Sequence, residues 1–406
     1  MFGNTPFNDQ KDGNVDMTIS GQFPYFNYSS QIIPQKINNS KIRFRSMIAI
    51  GNPIVDISAE ITQEILKLYN LHFGETVFAN PSNEGFYKAL EDMPQVTYIP
   101  GGSIQNTLRV AAWCLYMNPE NINLFKVTML GATGNDTYSN KIISAFNQSG
   151  VNHILQKIPN METSRCGVGI HQKERCLVPQ IKASNCLTED FVNEHEKEIM
   201  SHDALLIEGY FLQEKYDLCL NLCTKFKDQR KVVILTLSAV TIVQQHKDKI
   251  MEIANYSDII VGNMGELETL AEMNGMDYKT TFEKVSKNLT IKKDRLFLIT
   301  HGSKGAIVGK YDYTRGNMDF ILQCFPSVMK VEDIVDLNGA GDAFLGGFLS
   351  QFMQGKNLEA CCKAGNDAAN VILKNIGCTF DKKIKNNNHY FYIIILNLIS
   401  LISISI

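Results

Sequence analysis

The sequence lacks the signals that would direct it to nucleic acid, to secretion or to a resident transition metal. Its formal net charge is only -3 over 406 residues, and no long Lys/Arg run or basic helix with interleaved aromatics offers a surface to a phosphate backbone. No nucleic acid partner is therefore expected. The eight histidines are dispersed without a His-x-x-x-His pair, and the ten cysteines are scattered without the paired spacings of a structural zinc site, so tightly bound zinc or iron is not expected. Cys219 and Cys223 lie one helical turn apart and Cys361 and Cys362 are adjacent. These read as small buried apolar residues and reduced thiols, not as a disulfide framework. No early apolar run is long enough for a signal peptide, and Asp9, Asp12 and Asp16 with few arginines argue against a mitochondrial presequence. The expected location is cytoplasmic, with the nucleus as an alternative.

Two familiar phosphate-binding patterns are also missing. No Gly-Lys-Ser/Thr closes a Walker loop, and no Gly-x-Gly-x-x-Gly opens a dinucleotide fold. In their place stands Asp336-Leu337-Asn338-Gly339-Ala340-Gly341-Asp342, followed by Phe344, Leu345, Phe348, Leu349 and Phe352 at helical spacing. The glycines let successive backbone N–H groups converge on an anion, and the first turn of the helix adds unpaired N–H groups and a positive dipole end. With 331–335 read as a strand, the order is strand, glycine loop, helix. Asp342 then stands where a hydroxyl must lose its proton, which is the arrangement of a phosphoryl-transfer site. The plainer reading is a helix capped by Asp342.

The composition, 44% hydrophobic and 20% charged, is that of an ordinary globular protein. From Ile48 onward, apolar runs at 124–130, 204–207, 232–237, 258–261 and 296–300 alternate with helical patterns. That alternation predicts an α/β fold with a mostly parallel central sheet and crossover helices. Functional residues in such folds collect beyond the carboxyl ends of the strands, where Asn263, Glu266, Gly302 and Gly305 fall. Two segments, about 54–98 and 163–181, break the alternation and are expected to form a small β-sheet lid. Residues 1–45 are expected to be a flexible Asn-rich extension. In the tail, 390–406 is almost wholly Ile, Leu and aromatic, which barely reaches the length of a membrane span. The stretch 381–406 reads as translated AT-rich non-coding sequence. The alternative is a C-terminal anchor with Lys382, Lys383 and Lys385 on its cytoplasmic side.

Several residues carry chemistry of their own. Asp56, after Gly51-Asn52-Pro53, suits two hydrogen bonds from a vicinal diol, or else caps a helix near Glu60. Gly101 and Gly102 allow close backbone approach to a sugar, with Ser103 and Asn106 supplying polar groups to the same ring. Equally, they form a turn into a helix that Ser103 caps. Asn263 and Glu266, one turn apart, suit the orientation of waters on Mg²⁺, while Glu266 in a first turn also complements the helix dipole.

Taken in order, the ordered set resembles the adenosine-phosphorylating branch of the ribokinase-like (PfkB) kinases. It comprises Gly51-Asn52-Pro53-Ile54-Val55-Asp56-Ile57-Ser58-Ala59, Gly101-Gly102-Ser103-Ile104-Gln105-Asn106, Gly131-x-x-Gly134-x-Asp136, Asn263-x-x-Glu266, the loop 336–342 and the closing Gly377-Cys378-Thr379-Phe380. The likeness runs from about Ile48 to Phe380. It implies a ribokinase-like three-layer α/β/α domain over 46–380, ATP as co-substrate, Mg²⁺, and transfer of a γ-phosphate to the 5′-hydroxyl of adenosine. A ribokinase-like kinase for a sugar or another nucleoside, and a catalytically silent binding protein of the same fold, are the competing readings. The resemblance assigns Asp342 as base and the 338–341 backbone, Asn338, Gly339, Ala340 and Gly341, as phosphate cradle. It places Asp56, Gly101, Gly102, Ser103, Asn106, Tyr210 and Phe211 around the nucleoside. Arg175, Thr300, Gly302, Gly305 and Asn366 go to ATP, Asn263 and Glu266 to magnesium through water, and a monomer is implied. The chain departs from the family pattern at Leu337, where Thr is usual, at Thr236, where Asn is usual, and at Ser164-Arg165, which replaces Gly-Thr.

Overall fold

A computed structural model describes residues 42–171, 174–273, 275, 277–326 and 329–380. Most of the expected extension and the whole 381–406 tail lie outside these residues. Of the extension, 42–45 are described, and Phe44 is already buried against Phe352.

Among the described residues, thirteen strands build two sheets: β1 (Ser46–Ile50), β2 (Ile54–Glu60), β3 (Thr97–Gly101), β4 (Lys126–Thr133), β5 (Asn152–Lys157), β6 (Arg165–His171), β7 (Glu174–Gln180), β8 (Ala204–Glu208), β9 (Val232–Thr236), β10 (Ile259–Asn263), β11 (Arg295–Thr300), β12 (Ala306–Asp312) and β13 (Asn317–Cys324). The large sheet runs β13-β12-β11-β10-β9-β8-β1-β4-β5. All pairings from β11 to β5 are parallel, and β12 and β13 add an antiparallel edge. Alternate residues explain the layers. Ile48, Ile50, Leu205, Ile207, Leu235 and Phe297 form one core with Phe211, Leu218, Ile253, Leu267 and Phe282 of the helices. Met47, Ala49, Met129, Leu206, Ile234 and Leu298, which point the other way, are equally buried. A sheet apolar on both faces needs a helical layer on each, and each such side chain adds about 1.5–3 kcal/mol on burial.

On one flank the helix Ala340–Met353 lies against Ser103–Tyr116 and Leu358–Ile372. Gly346 permits that approach, because a Cβ there would stand 2.6 Å from the Thr107 carbonyl oxygen. Two loop-to-helix junctions distant in sequence are thereby brought side by side.

The irregular segments meet as a second sheet, β3-β2-β6-β7, in which β2 pairs antiparallel with β3 and parallel with β6, and β6 pairs antiparallel with β7. Its core gathers Ile57, Phe86, Tyr87, Leu90 and Val178. At its root, Asp136 accepts from the Thr163 N–H and hydroxyl, both at 2.7 Å, and from the Ser139 N–H at 2.8 Å.

Two expectations fail here. The stretch 331–335 is not a strand but a short 3-10 turn, Val331–Asp333, leading into the loop. Val335 has no second layer to cover it and is 41% exposed. Nor are all the thiols free: Cys324 and Cys362 form a disulfide. They are 38 residues apart, and only the packing of the end of β13 on the Leu358–Ile372 helix unites them, so no local spacing announced the pair.

Candidate active site

Asp342 occupies the first turn of the Ala340–Met353 helix, behind Gly339 at φ 78°. Its Oδ1 accepts from the Ser103 hydroxyl at 2.7 Å and its Oδ2 from the Asn106 amide at 3.0 Å. Both donors sit on the first turn of Ser103–Tyr116, three residues apart and hence on one helix face. This settles the two plainer readings. Asp342 does not cap its helix, whose N-cap is Gly339, and Ser103 does not cap its own, whose N-cap is Gly102. Burial pushes the Asp342 carboxyl above its usual range, opposed by the Ser103 and Asn106 hydrogen bonds. A carboxylate held by two donors and short of water is oriented and keen for a proton, as a general base requires.

Asp56 lies within β2, opposite Ile99 and Cys166, and so caps no helix. Burial raises its carboxyl to about 7, with Arg175 opposing and Asp336 and Asp342 adding to the rise. Gly101, at the end of β3, is the residue that makes room for it: a Cβ there would fall 2.2 Å from the Asp56 carboxylate. Nearby, the side-chain oxygens of Asn52 and Asn106 are buried without a donor among the described residues. Buried acceptors are normally paired, so the constellation suits a ligand rich in hydroxyl donors.

The loop is tied down from behind. Asp336, 3% exposed, accepts from the N–H of Asn338 at 2.9 Å and of Gly377 at 2.6 Å, and pairs with Arg175 at 2.8 Å. Arg175 is therefore no lone surface arginine. It links β7 of the small sheet to the loop. The Asn338 N–H, expected in the phosphate cradle, is taken by Asp336, whereas N–H groups of the helix's first turn have no intrahelical partner. A Cβ at Gly341 would meet no protein atom within 4 Å, so nothing in the packing demands glycine there and the backbone is open to a phosphate-sized group.

Along the neighbouring strand ends, Asn263 closes β10 beside Thr300 of β11. Asn263 and Glu266 form a complete capping box: the Glu266 N–H donates to Asn263 Oδ1 at 3.0 Å, and Glu266 accepts from the Asn263 N–H at 3.0 Å and its amide at 2.6 Å. Burial raises Glu266 to about 7, opposed by the Asn263 N–H. Gly302 and Gly305 both take positive φ, 51° and 90°. Asn366 donates to the Phe325 carbonyl at 3.0 Å and lines a cavity of about 170 Å³ with Cys324, Cys362 and Lys363.

Residues 67–385 match the model of the pfkB family carbohydrate kinases. The chain belongs to this family. Among known proteins, adenosine kinase 2 of Arabidopsis thaliana is 29% identical, covering 83% of this chain and 96% of that protein, and the Dictyostelium discoideum adenosine kinase is 30% identical over 82% and 96%. The crystal structure of Anopheles gambiae adenosine kinase in complex with P1,P4-di(adenosine-5) tetraphosphate superposes with a TM-score of 0.72 at 27% identity, covering 83% of this chain and 98% of that one. The apo enzyme of Trypanosoma brucei brucei also gives 0.72 at 27%, over 82% and 99%. A pfkB kinase uses ATP as co-substrate, and the open backbone at Gly341 suits its phosphate.

For Mg²⁺, the fit is indirect. Among the described residues no group of three or more His, Cys, Asp or Glu side chains could hold a metal, and Glu266 spends both oxygens on Asn263. Remaining lone pairs can still accept from metal-bound water.

Of the expected aromatic pair, Tyr210 is 39% exposed, whereas Phe211 is fully buried in the main core and offers no face to a ligand. Their position just after β8 could not separate them, because the first turn of the Gly209–Asp228 helix points one outward and one inward. Thr236 is 7% exposed and bonds Ser238 at 3.1 Å; Ser164 is buried against Ser184; Arg165 lies 4.3 Å over the Tyr87 ring. Two residues escaped the sequence reading as side chains of the site. Asn52 entered only as part of a turn, and Glu208, the last residue of β8, lies just beyond the apolar run 204–207 and drew no reading.

Proposed function

We propose that this chain is an adenosine kinase, transferring the γ-phosphate of ATP to the 5′-hydroxyl of adenosine to give AMP and ADP in purine salvage. The observation that carries it is Asp342 fixed between Ser103 and Asn106 at the start of an anion-binding helix, facing the diol-binding candidate Asp56. Phosphoryl transfer asks the protein for positioning and charge neutralisation more than for covalent work. Asp56 holds the ribose 2′- and 3′-hydroxyls, with the unpaired Asn52 and Asn106 oxygens beside it. Tyr210 offers its exposed ring to the purine, whose flat face stacks better than a free sugar would. Asp342 accepts the 5′-hydroxyl proton as the first-turn N–H groups of Ala340–Met353 draw in the phosphate. Mg²⁺, held through water by Asn263 and Glu266, would neutralise charge on the donor phosphates. The small sheet acts as a lid that keeps out water and so prevents wasteful ATP hydrolysis. The chain acts as a cytoplasmic monomer, which gel filtration and cell fractionation test.

Purified protein given Mg-ATP should phosphorylate adenosine in preference to guanosine, inosine, ribose and fructose. Activity on sugars alone would overturn the substrate assignment. Nucleoside binding without turnover of any acceptor would make the chain a silent relative.

A further inference from the structure

Glu208 is 2% exposed at the carboxyl end of β8. A carboxylate in that position has lost its hydration and must find donors. It accepts from the main-chain N–H of Asn52 at 3.1 Å, and Ile104 stands beside it across Gly51. Asn52 belongs to the turn after β1. The Asn52 carbonyl in turn packs on Gly102, the N-cap of Ser103–Tyr116, where a Cβ would stand 2.7 Å from it. Gly51 makes the space, since a Cβ there would stand 2.6 Å from Glu208 Oε2. One buried carboxylate thus ties together a strand end, a turn and a helix start.

The helix start it holds is the one that grips the base. Gly102 directly precedes Ser103, and Asn106 lies on the same turn, so a displacement of the Asn52 turn packed on Gly102 carries both donors of Asp342 with it. Burial is the main force raising the Glu208 carboxyl, to about 7, with the Asn52 N–H opposing and Asp342 adding to the rise. The two acids therefore feel each other as well as sharing a helix.

We propose that Glu208 is a positioning residue for Asp342: by holding the main chain of Asn52 against Gly102 it fixes Ser103 and Asn106, and through them the aim of the Asp342 oxygens. The inference rests on Asp342 being the base of nucleoside phosphorylation. It differs from a simple structural role, because a buried anchor that only stabilises the fold has no particular link to the chemistry of Asp342.

A double-mutant cycle on the full chain separates the two. Glu208→Gln should lower kcat about 10-fold or more while the adenosine KM stays within about twofold, as expected when a reacting group is misaimed. In an Asp342→Asn background, with no base left to aim, the same change should cost less than about twofold in the residual turnover. Gly51→Ala, which presses on Glu208 from the other side, should repeat this non-additivity and serves if Glu208→Gln does not fold. Equal losses in both backgrounds, or no loss in the single variant, overturn the inference. Failure of the unmodified chain to phosphorylate any nucleoside overturns the functional reading instead. Positioning is then decided by a crystal structure of Glu208→Gln: Ser103 and Asn106 drawn off Asp342 support it, and contacts kept at 2.7 and 3.0 Å overturn it.

Discussion

The proposed alcohol and nucleotide sides of the site are built on opposite plans. On the alcohol side, Asp342 takes its hydrogen bonds from residues 239 and 236 positions away, Glu208 bonds a residue 156 positions away, and Asn52 and Asn106 keep buried oxygens without a donor among the described residues. On the nucleotide side, Asn263 and Glu266 satisfy one another across three residues. The alcohol side is expensive to assemble and incomplete by itself. The nucleotide side would be a sound helix start in a protein with no function at all. A polar cluster held by long-range contacts with acceptors to spare is therefore better evidence for a ligand than one that closes locally.

That contrast can be broken in order of expected effect. Asp342→Asn removes the proton acceptor but keeps the shape, so turnover should fall by about 10² to 10⁴ while calorimetry shows adenosine still bound. Near-normal turnover would strip the alcohol side of its catalytic meaning. Arg175→Met leaves Asp336 buried without its cation, and such losses cost about 3–5 kcal/mol. Urea denaturation should find a deficit of that order, and an unchanged midpoint would mean that the pair contributes little. Asp56→Asn removes a charged acceptor, worth about 1.5–3 kcal/mol for such bonds, so the adenosine KM should rise by roughly 10- to 100-fold with kcat changed less.

Asp56 also makes a prediction about pH. Its carboxyl is raised from 3.8 to about 7, so the folded chain holds that proton more tightly than the unfolded one. Its stability contribution is full below about pH 4 and is lost as pH climbs through about 7. The ionised form that accepts a diol grows over the same interval. Melting temperature should fall and adenosine affinity should rise together across that window, and Asp56→Asn should flatten both curves. The smallest effect belongs to the other side: Glu266→Gln weakens a capping box, worth about 1 kcal/mol, and thermal denaturation should register only that. A collapse of the fold would show that the nucleotide side is less local than its hydrogen bonds indicate.

The sheet was readable because parallel strands covered on both faces are written as continuous apolar runs, as at 204–207 and 296–300. The same rule misread 331–335, where apolar residues fill a turn and lead into a loop, leaving Val335 largely open to solvent. Asp342, Asp56 and the glycines were readable because their spacing carries chemistry. Glu208 was not, since a carboxylate at a strand end looks the same whether it meets water or a backbone N–H from elsewhere in the chain. Phe211 and the Cys324–Cys362 pair failed for the same cause: which way a first-turn side chain points, and which distant thiol it meets, are decided by packing alone.

Leu337 shows how such a site tolerates drift. Its side chain is 72% exposed, although it stands inside the loop where the family usually places Thr. An anion gripped by main-chain amides is indifferent to what those residues carry on their outer face. On the proposed reading, recognition lies in the backbone of the helix's first turn, and the loop that leads into it is held from behind by Asp336 through the N–H groups of Asn338 and Gly377. Mutations can therefore accumulate on the visible side of the loop while the buried side stays fixed, so the least conventional letter of the motif need not be the one that matters to the chemistry.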